Sequence, residues 1–556
     1  MARKNIQDQL LPTLYADQYL LAVAKPPGID AGAMPGRRSE GLAEQIARGL
    51  GDGVTLWPVN RLSRFESGIL LLARDAEIQH KLRADLRAGK MRQEYLAVVL
   101  GTVPKGRIVL RSTRAPRKAP ARTPGPPKPC HRKADPKSQR QAAGAETAVL
   151  PLAKGLKRCS VRCTTNVATT HALRAQLRGA RLRLLGDTLH DRSAGTGRAE
   201  RTCLYLSKLS FKHPVHLKHV ALSSPCPYTF SEVARGRTDE TPAMHGALVR
   251  RLACLEDHAT NCYRLLTGRV EGVSGLNVER YGPVLSVEIT HPAHVNRKKL
   301  QRIVAWYQSL LGIQYVSLFE RSRKGTRRRG GTAATRPRGM EAPPSSDTRV
   351  MERGLRYVVQ FDEAATAGLF LDQRDNRSRV RALAKGKSVL NLFAYTCGFS
   401  LAAAAGGAKE TVSVDLSARH LEWGRKNLAI NHLDAGDHLF VRSDSAEYLR
   451  RARRQGKRFD VIVIDAPTFA HGQKRGQSFS FVRDISELLL GCREIAAPGA
   501  TILVCTNHRQ IAAARLKELV RKGIGGKNIA AIQTPPLPVD FAADRDHSKS
   551  VLVQLV

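Results

Sequence analysis

Residues from about 350 to the C-terminus read as a doubly wound α/β domain with a mostly parallel sheet, and three observations carry that expectation. Apolar strand-like runs alternate there with helical patterns, the rhythm of repeated βαβ units. The run Ser388-Val389-Leu390-Asn391-Leu392-Phe393 ends in a glycine-bearing turn, Ala394 to Ser400, which opens an Ala-rich helix. Acidic residues then close successive strands: Asp415 after Glu410 to Val414, Asp444 after the next strand, and Asp465 after Phe459 to Ile464.

The rest of the chain must hold further domains, because 556 residues exceed the roughly 250–300 that one core can organise. Residues 1–235 form one expected unit, with α+β patterning from about 14 to 110 and again from about 146. Between them, 113–145 is rich in Pro, Arg, Lys and Ala (APRKAPARTPGPPKP). Such a composition buries too little apolar area to offset ordering entropy, so it reads as a disordered basic insertion. Residues 243–320 read as a small β-hairpin and linker domain, 321–349 as a basic flexible loop (RSRKGTRRRGG), and 350–556 as the α/β domain. No internal repeat is evident.

Lysine and arginine number 91 against 48 aspartates and glutamates, a formal charge of +43. That excess predicts a polyanionic partner. No apolar run of about 18 residues is present and the N-terminus lacks a cationic segment followed by an apolar one, so membrane insertion is not expected. The ten cysteines form no CxxC pair; Cys159 and Cys163 are the closest, and neither a zinc module nor a disulfide framework is indicated. We therefore expect reduced thiols and no metal. The sequence leaves the oligomeric state open.

A tight glycine-bearing turn at the switch point of such a sheet lets backbone approach a ligand. Asp415, seventeen residues after Gly398, is placed to accept both hydroxyls of a ribose, and Asp444 to hold the exocyclic amine of adenine. A dinucleotide site would want GxGxxG, which is absent. S-adenosylmethionine (SAM) is thus the expected cofactor in preference to NAD.

The stretch Ala367-Gly368-Leu369-Phe370-Leu371-Asp372-Gln373-Arg374-Asp375-Asn376-Arg377, followed by LNLFAYTCGF and Asp465-Ala466-Pro467-Thr468-Phe469, resembles the RlmI/RlmK-type large-subunit ribosomal RNA methyltransferases. Their corresponding motifs are KTGxFLDQRDNR, LNLFxYTGGF and DPPTF. Residues 261–282 resemble the small β-hairpin domain of that family. The resemblance implies a Rossmann-like class I methyltransferase fold and a cofactor set of Gln373, Arg374, Asn391, Phe393, Gly398, Asp415, Asp444 and Asp465. Three positions depart from the pattern: Ala367 replaces a lysine, Cys397 the first glycine of the turn, and Ala466 a proline. Bulk at Cys397 is expected to crowd the methionine end of the cofactor and weaken its binding.

Carbon methylation of a pyrimidine needs a thiolate to add to the ring first. The family cysteine aligns with Thr506, and Cys505 misses by one position, which points it elsewhere. Nitrogen methylation needs no adduct. It is the favoured chemistry, on guanine, with Asp465, Pro467, Phe469 and Asn507 around the base and His508 as a further candidate to orient it. 5-Methylcytosine formation stays as an alternative.

Residues 14–230 resemble the RluA-type pseudouridine synthases through LAVAKPPG (21–28), Gln93-Glu94-Tyr95-Leu96-Ala97-Val98, Leu185-Gly186-Asp187 and Leu209-Ser210-Phe211-Lys212-His213-Pro214. The family's catalytic motif HRLDxxTSGLLLLAK appears here as Asn60-Arg61-Leu62-Ser63-Arg64-Phe65-Glu66-Ser67-Gly68-Ile69-Leu70-Leu71-Leu72-Ala73-Arg74. Ser63 stands in place of the required aspartate, and TGRTHQIR is eroded to Ala168-Thr169-Thr170-His171-Ala172-Leu173-Arg174. The pseudouridine site (Arg61, Ser63, Tyr95) is expected to be inactive, with Glu66 not replacing the nucleophile and Tyr95 either touching a displaced base or packing as core. Such a domain, with cationic arms at 114–140 and 321–338, would bind RNA, by this resemblance ribosomal RNA or a ribosomal precursor. A non-catalytic ribosome-assembly factor, which Cys397 and Ala466 favour, and a bifunctional enzyme are the competing readings. Bacterial cytoplasm is the expected location, because the family match begins near Leu14 and leaves no room for a transit peptide; an organelle is the alternative.

Overall fold

The computed structural model describes residues 9–33, 40–101, 103–111, 145–187, 202–255, 257–321, 327–329, 341–343, 347–361, 366–433, 436–471 and 478–556. The insertion expected at 113–145, save its last residue, and most of the loop expected at 321–349 lie outside them. The chain folds as two compact units, Met1–Val249 and Arg250–Val556.

The first unit is built on one mixed sheet. Its main path runs through β1 (Thr13–Ala16), β2 (Leu20–Lys25), β3 (Ser67–Ala73), β4 (Arg92–Leu100), β5 (Ile108–Arg111), β6 (Glu146–Lys154), β7 (Arg158–Thr165) and β8 (Leu204–Lys212), in the order β1-β2-β3-β8-β4-β7-β6-β5. β2 and β3 are buried along their whole length, which is why both read as unbroken apolar runs without alternation. They pair antiparallel, Leu21 opposite Leu72 and Val23 opposite Leu70. Helix α1 (Ala76–Arg87) starts where the Asp75 side chain accepts from the Glu77 and Ile78 N–H groups, and it buries Ile78, Leu82 and Leu86 at one-turn spacing. Helix α2 (Thr170–Gly179) is capped by Thr169 in the same way.

The second unit begins with a small sheet, β9 (Cys262–Thr267), β10 (Leu276–Tyr281), β11 (Val284–Ile289) and β12 (Tyr315–Arg321). Helix α3 (Arg297–Leu311) carries the crossover that makes β11 and β12 parallel. A hairpin, β13 (Thr348–Glu352) and β14 (Leu355–Val359), and helix α4 (Arg374–Leu383) then lead into the α/β body. That body comprises β15 (Ser388–Leu392), α5 (Gly398–Ala405), β16 (Glu410–Asp415), α6 (Ala418–Ala429), β17 (His438–Arg442), α7 (Ser445–Arg454) and β18 (Phe459–Asp465). After a short antiparallel pair, β19 (Phe469–His471) with β20 (Ser478–Ser480), come α8 (Phe481–Glu494), β21 (Ala496–Thr506), α9 (Ala513–Ile524), β22 (Ile529–Gln533) and β23 (Lys549–Leu555).

The strand order is β17-β16-β15-β18-β21-β23-β22, parallel through β21 and antiparallel at β23 and β22. This is the doubly wound, mostly parallel sheet expected from the alternation. Chain order reverses between β15 and β18, so the crevice at their C-terminal ends is the switch point at which such sheets bind ligands.

Candidate active site

A cavity of about 680 Å³ opens at that switch point, within the range of small-molecule and cofactor sites. The C-terminal ends of β15, β16, β17, β18 and β21 contribute to its lining. Phe393 and Tyr395 come from the turn after β15, Asp415 from the end of β16, Asp444 from the start of α7, Asp465 and Pro467 from the end of β18, and Asn507 from the end of β21. Phe370, Asp372 and Gln373 close it from the segment before α4.

The turn that shapes the cavity is strained. Phe393, Tyr395 and Cys397 all adopt left-handed backbone, with φ of 56°, 49° and 60°, at a cost of about 1–2 kcal/mol each for residues with a side chain. Asp415 holds it, accepting the Tyr395 N–H at Oδ2 and the Ser417 N–H at Oδ1, each at 2.9 Å. The Asp444 Oδ1 caps α7 by accepting from Ala446 and Glu447. It therefore both caps the helix and forms part of the cavity wall.

Burial, with the neighbouring negative charge of Asp372, pushes the Asp465 carboxyl up to about 7, against a smaller opposing effect of Arg377. Three strand-end carboxylates and Asp372 thus share a cavity walled by Phe370, Phe393 and Tyr395. That set of acceptors and aromatic walls suits a ligand with an aromatic body, hydroxyls to donate and a positive end, and a SAM molecule has all three.

Four residues that the sequence pointed to the site sit elsewhere. Arg374 is buried, and its guanidinium pairs with Asp540 (Nη1 to Oδ2 3.3 Å). The Asn391 side chain donates to Ser400 Oγ at 2.9 Å, and Ser400 meets Ser413 Oγ at 2.6 Å, so Asn391 ties β15 to α5 and β16. The α-carbon of Gly398 faces Arg377, whose Cδ would lie 3.4 Å from an added Cβ. Phe469 is 52% exposed and does not line the cavity; Phe479, on the antiparallel partner strand, lines it and packs against Phe393 with ring centroids 5.0 Å apart. The sequence reasoning also missed Asp372, although it lies inside the motif quoted above.

The expected crowding by Cys397 has no counterpart in the cavity. The left-handed backbone turns this fully buried side chain towards α6, among Ala394 and Leu421. A Cβ added at Gly424 would lie 2.4 Å from its Sγ. Cys505 is also buried, near Asn376 Nδ2 (3.6 Å) and Ser550 Oγ (3.5 Å), and burial holds its thiol well above the ordinary range. The buried Thr506 hydroxyl accepts the His508 N–H.

In the first unit, Arg61 and Ser63 are exposed, while Glu66 is fully buried. Glu66 accepts from the Ser63 N–H (2.7 Å), Thr170 Oγ1 (2.9 Å) and Arg174 Nη1 (2.9 Å), and Arg174 also pairs with Asp187. Tyr95, of the two roles open to it, takes the core one: it is 2% exposed and its hydroxyl donates to Gln93 Oε1 at 2.8 Å. Asp17, His213 and His216 also come together. His213 Nδ1 accepts from the Val215 and His216 N–H groups, which leaves the ring proton on Nε2 facing Asp17 Oδ2 at 3.1 Å. A hydrogen bond therefore already closes that cluster.

The fold and cavity define an α/β protein that binds a nucleoside cofactor at the switch point of its sheet. Residues 332–547 match the family model described as S-adenosylmethionine-dependent methyltransferase, and residues 19–178 the model described as RNA pseudouridylate synthase. YwbD of Bacillus subtilis, which carries a provisional large-subunit ribosomal RNA methyltransferase name, is 31% identical over 314 residues, 55% of this chain and 77% of its own length. Ribosomal RNA large subunit methyltransferase K of Neisseria meningitidis is 32% identical over 244 residues, 44% of this chain and 67% of the relative. The K/L protein of Alteromonas mediterranea is 31% identical over 320 residues, 56% of this chain, which spans only 43% of that relative's length. Among solved structures, a provisionally assigned SAM-dependent methyltransferase from Streptococcus mutans is 25% identical with a TM-score of 0.49, over 63% of this chain and 88% of the other. Human RNA pseudouridylate synthase domain containing 1 is 20% identical with a TM-score of 0.29, over 41% and 87%. The chain belongs to the S-adenosylmethionine-dependent methyltransferase family, joined to an RluA-type pseudouridine synthase domain.

Proposed function

We propose that the chain transfers a methyl group from SAM to a ring or exocyclic nitrogen of guanine in RNA, most simply large-subunit ribosomal RNA. The observation that carries this reading is the cavity in which Asp415, Asp444 and Asp465 converge beside Pro467 and Asn507, with no thiolate among them. In it, Asp415 would accept hydrogen bonds from the ribose hydroxyls of the cofactor, Asp444 would meet the adenine edge, and Asp465 with Asp372 would receive the positive methionine end. When bound, the cofactor supplies an electrophilic methyl group.

The protein's own residues then hold the target base. Asn507, oriented by the Thr468 hydroxyl at 3.0 Å, offers an amide to the base edge, Pro467 limits its approach, and Phe479 provides the aromatic wall first assigned to Phe469. The N7 lone pair would attack without prior activation and the ring would keep the positive charge, an exocyclic nitrogen would release its surplus proton to solvent, and carbon attack would need the thiolate that Cys505 is not poised to provide.

In the same reading, the first unit makes no pseudouridine and contributes RNA affinity. Ser63 is a weak nucleophile, and Glu66 is committed to Arg174. Likeness to large-subunit ribosomal RNA methyltransferases supports ribosomal RNA as the substrate, and the +43 charge supports a polyanion. The expected cytoplasmic setting and a part in ribosome biogenesis belong to the same proposal. Among the described residues, no helix is long and apolar enough to cross a membrane. Mass spectrometry of ribosomal RNA nucleosides from cells with and without the gene tests the reading. Loss of one N-methylguanosine is the expected result; an unchanged nucleoside profile contradicts it.

A further inference from the structure

The motif that lost its aspartate keeps an unusually firm foundation. Ser63-Arg64-Phe65-Glu66 is a β-turn closed by the Glu66 N–H donating to the Ser63 carbonyl at 3.1 Å. The same residues close a second ring, in which the Ser63 N–H donates to Glu66 Oε2 at 2.7 Å. Beneath the turn, Glu66 is locked to Thr170 and Arg174, and Arg174 to Asp187. From the side, the Lys25 ammonium donates to the Glu66 carbonyl at 2.7 Å, and the Gly28 N–H to the Arg64 carbonyl at 2.5 Å.

All this fixes a turn whose tip holds two residues, Arg64 and Phe65. Phe65 is 47% exposed, whereas the other phenylalanines among the described residues of this unit, Phe211 and Phe230, are buried. Arg61 is exposed just ahead of the turn. A large apolar ring held in water on a rigid base costs hydrophobic free energy that a binding partner can recover, and the same short segment carries two arginines, Arg61 and Arg64. The chemistry matches one partner class well. The face of an unpaired nucleobase stacks on an aromatic ring, and the phosphates on either side pair with arginine.

We infer that the Arg61–Glu66 turn is a stacking platform for an unpaired base of RNA, with Phe65 as the stacking ring and Arg61 and Arg64 contacting the adjoining phosphates. The inference rests on the RNA-binding reading above. It gives the former catalytic turn a recognition role that needs no nucleophile, since Glu66 fixes the turn through the arginine.

The test uses the full chain, a fluorescein-labelled unstructured RNA of about 12 nucleotides, within the site sizes of single-strand binders, and a duplex of the same length. Phe65→Ala is expected to weaken single-strand binding about tenfold, as loss of one stacked base does, without a matching loss on the duplex. Because Phe65 is exposed, the thermal transition should not move. Phe65→Trp should retain affinity, and its added fluorescence should be quenched by the single strand and not by the duplex. Equal affinities for wild type and Phe65→Ala, or a Phe65→Trp signal indifferent to the single strand, overturn the platform while leaving the methyltransferase reading intact. Wild type that binds neither RNA overturns the platform together with the RNA-binding reading of the first unit.

Discussion

The backbone N–H of Ser63 donates to the Glu66 carboxylate at 2.7 Å, and the other oxygen of that carboxylate holds Arg174 at 2.9 Å. The turn that should carry a catalytic aspartate thus has its carboxylate three residues later, buried and already paired. Restoring the missing group should therefore not restore the chemistry. Ser63→Asp is expected to release no tritium from uridine-labelled RNA, because the buried arginine is already committed to Glu66 and Asp187. Glu66→Gln should destabilise the first unit by about 3 kcal/mol, the usual cost of breaking a buried ion pair, read by urea denaturation. A Ser63→Asp variant that makes pseudouridine contradicts this account of the turn.

Cys397 and Gly424 should behave as a coupled pair. A methyl at Gly424 would lie 2.4 Å from the Cys397 sulfur, and overpacking of that kind costs about 1–3 kcal/mol. Gly424→Ala is expected to lower stability by that amount. Cys397→Gly should recover most of the loss, since it removes the clash and suits the left-handed backbone. A double-mutant cycle measured by denaturation checks the coupling, and simple additivity would contradict it.

Asp465 should make stability depend on pH in a definite direction. Its folded value near 7 lies above the ordinary carboxylate value of 3.8. Below about pH 4 the group is neutral in both states and carries no penalty. Between about pH 4 and 7 the unfolded chain ionises while the native carboxyl keeps its proton, so stability falls across that window and levels off above 7. Asp465→Asn removes that dependence. The variant should equal the wild type near pH 4 and exceed it by on the order of 2 kcal/mol at pH 8. Denaturant midpoints at the two pH values measure the difference.

Cys505→Ser tests the choice between nitrogen and carbon. The thiol lies between Asn376 and Ser550, which can bond a hydroxyl equally well, so the variant should fold. Methyl transfer to RNA is expected to continue at the wild-type rate. A rate reduced to background would mean that this sulfur forms an adduct with the base.

How much was legible in the sequence followed from the range of the interactions involved. Asp415, Asp444 and Asp465 could be found because a parallel α/β sheet brings successive strand ends to one edge, whatever the side chains between them do. Arg374 was misplaced because its partner, Asp540, lies 166 residues away, and nothing local reveals that the charge is already neutralised. Phe469 and Phe479 exchanged places because β19 and β20 pair with Phe469 opposite Ser480 and Ala470 opposite Phe479, a register that motif spacing does not report. The effect of Cys397 depended on one backbone angle, which decided whether its sulfur met a ligand or a helix. In the first unit a serine at position 63, where the resemblance implies an aspartate, could be read directly, but the burial of Glu66 depended on Arg174, 108 residues along the chain.

The most direct measurement of the central claim is methyl transfer itself. The purified full chain is incubated with tritiated SAM and unmodified large-subunit ribosomal RNA, and the RNA is digested to nucleosides. Label in an N-methylguanosine, abolished by Asp415→Ala, is the predicted result. No incorporation, or label in 5-methylcytidine, would contradict it.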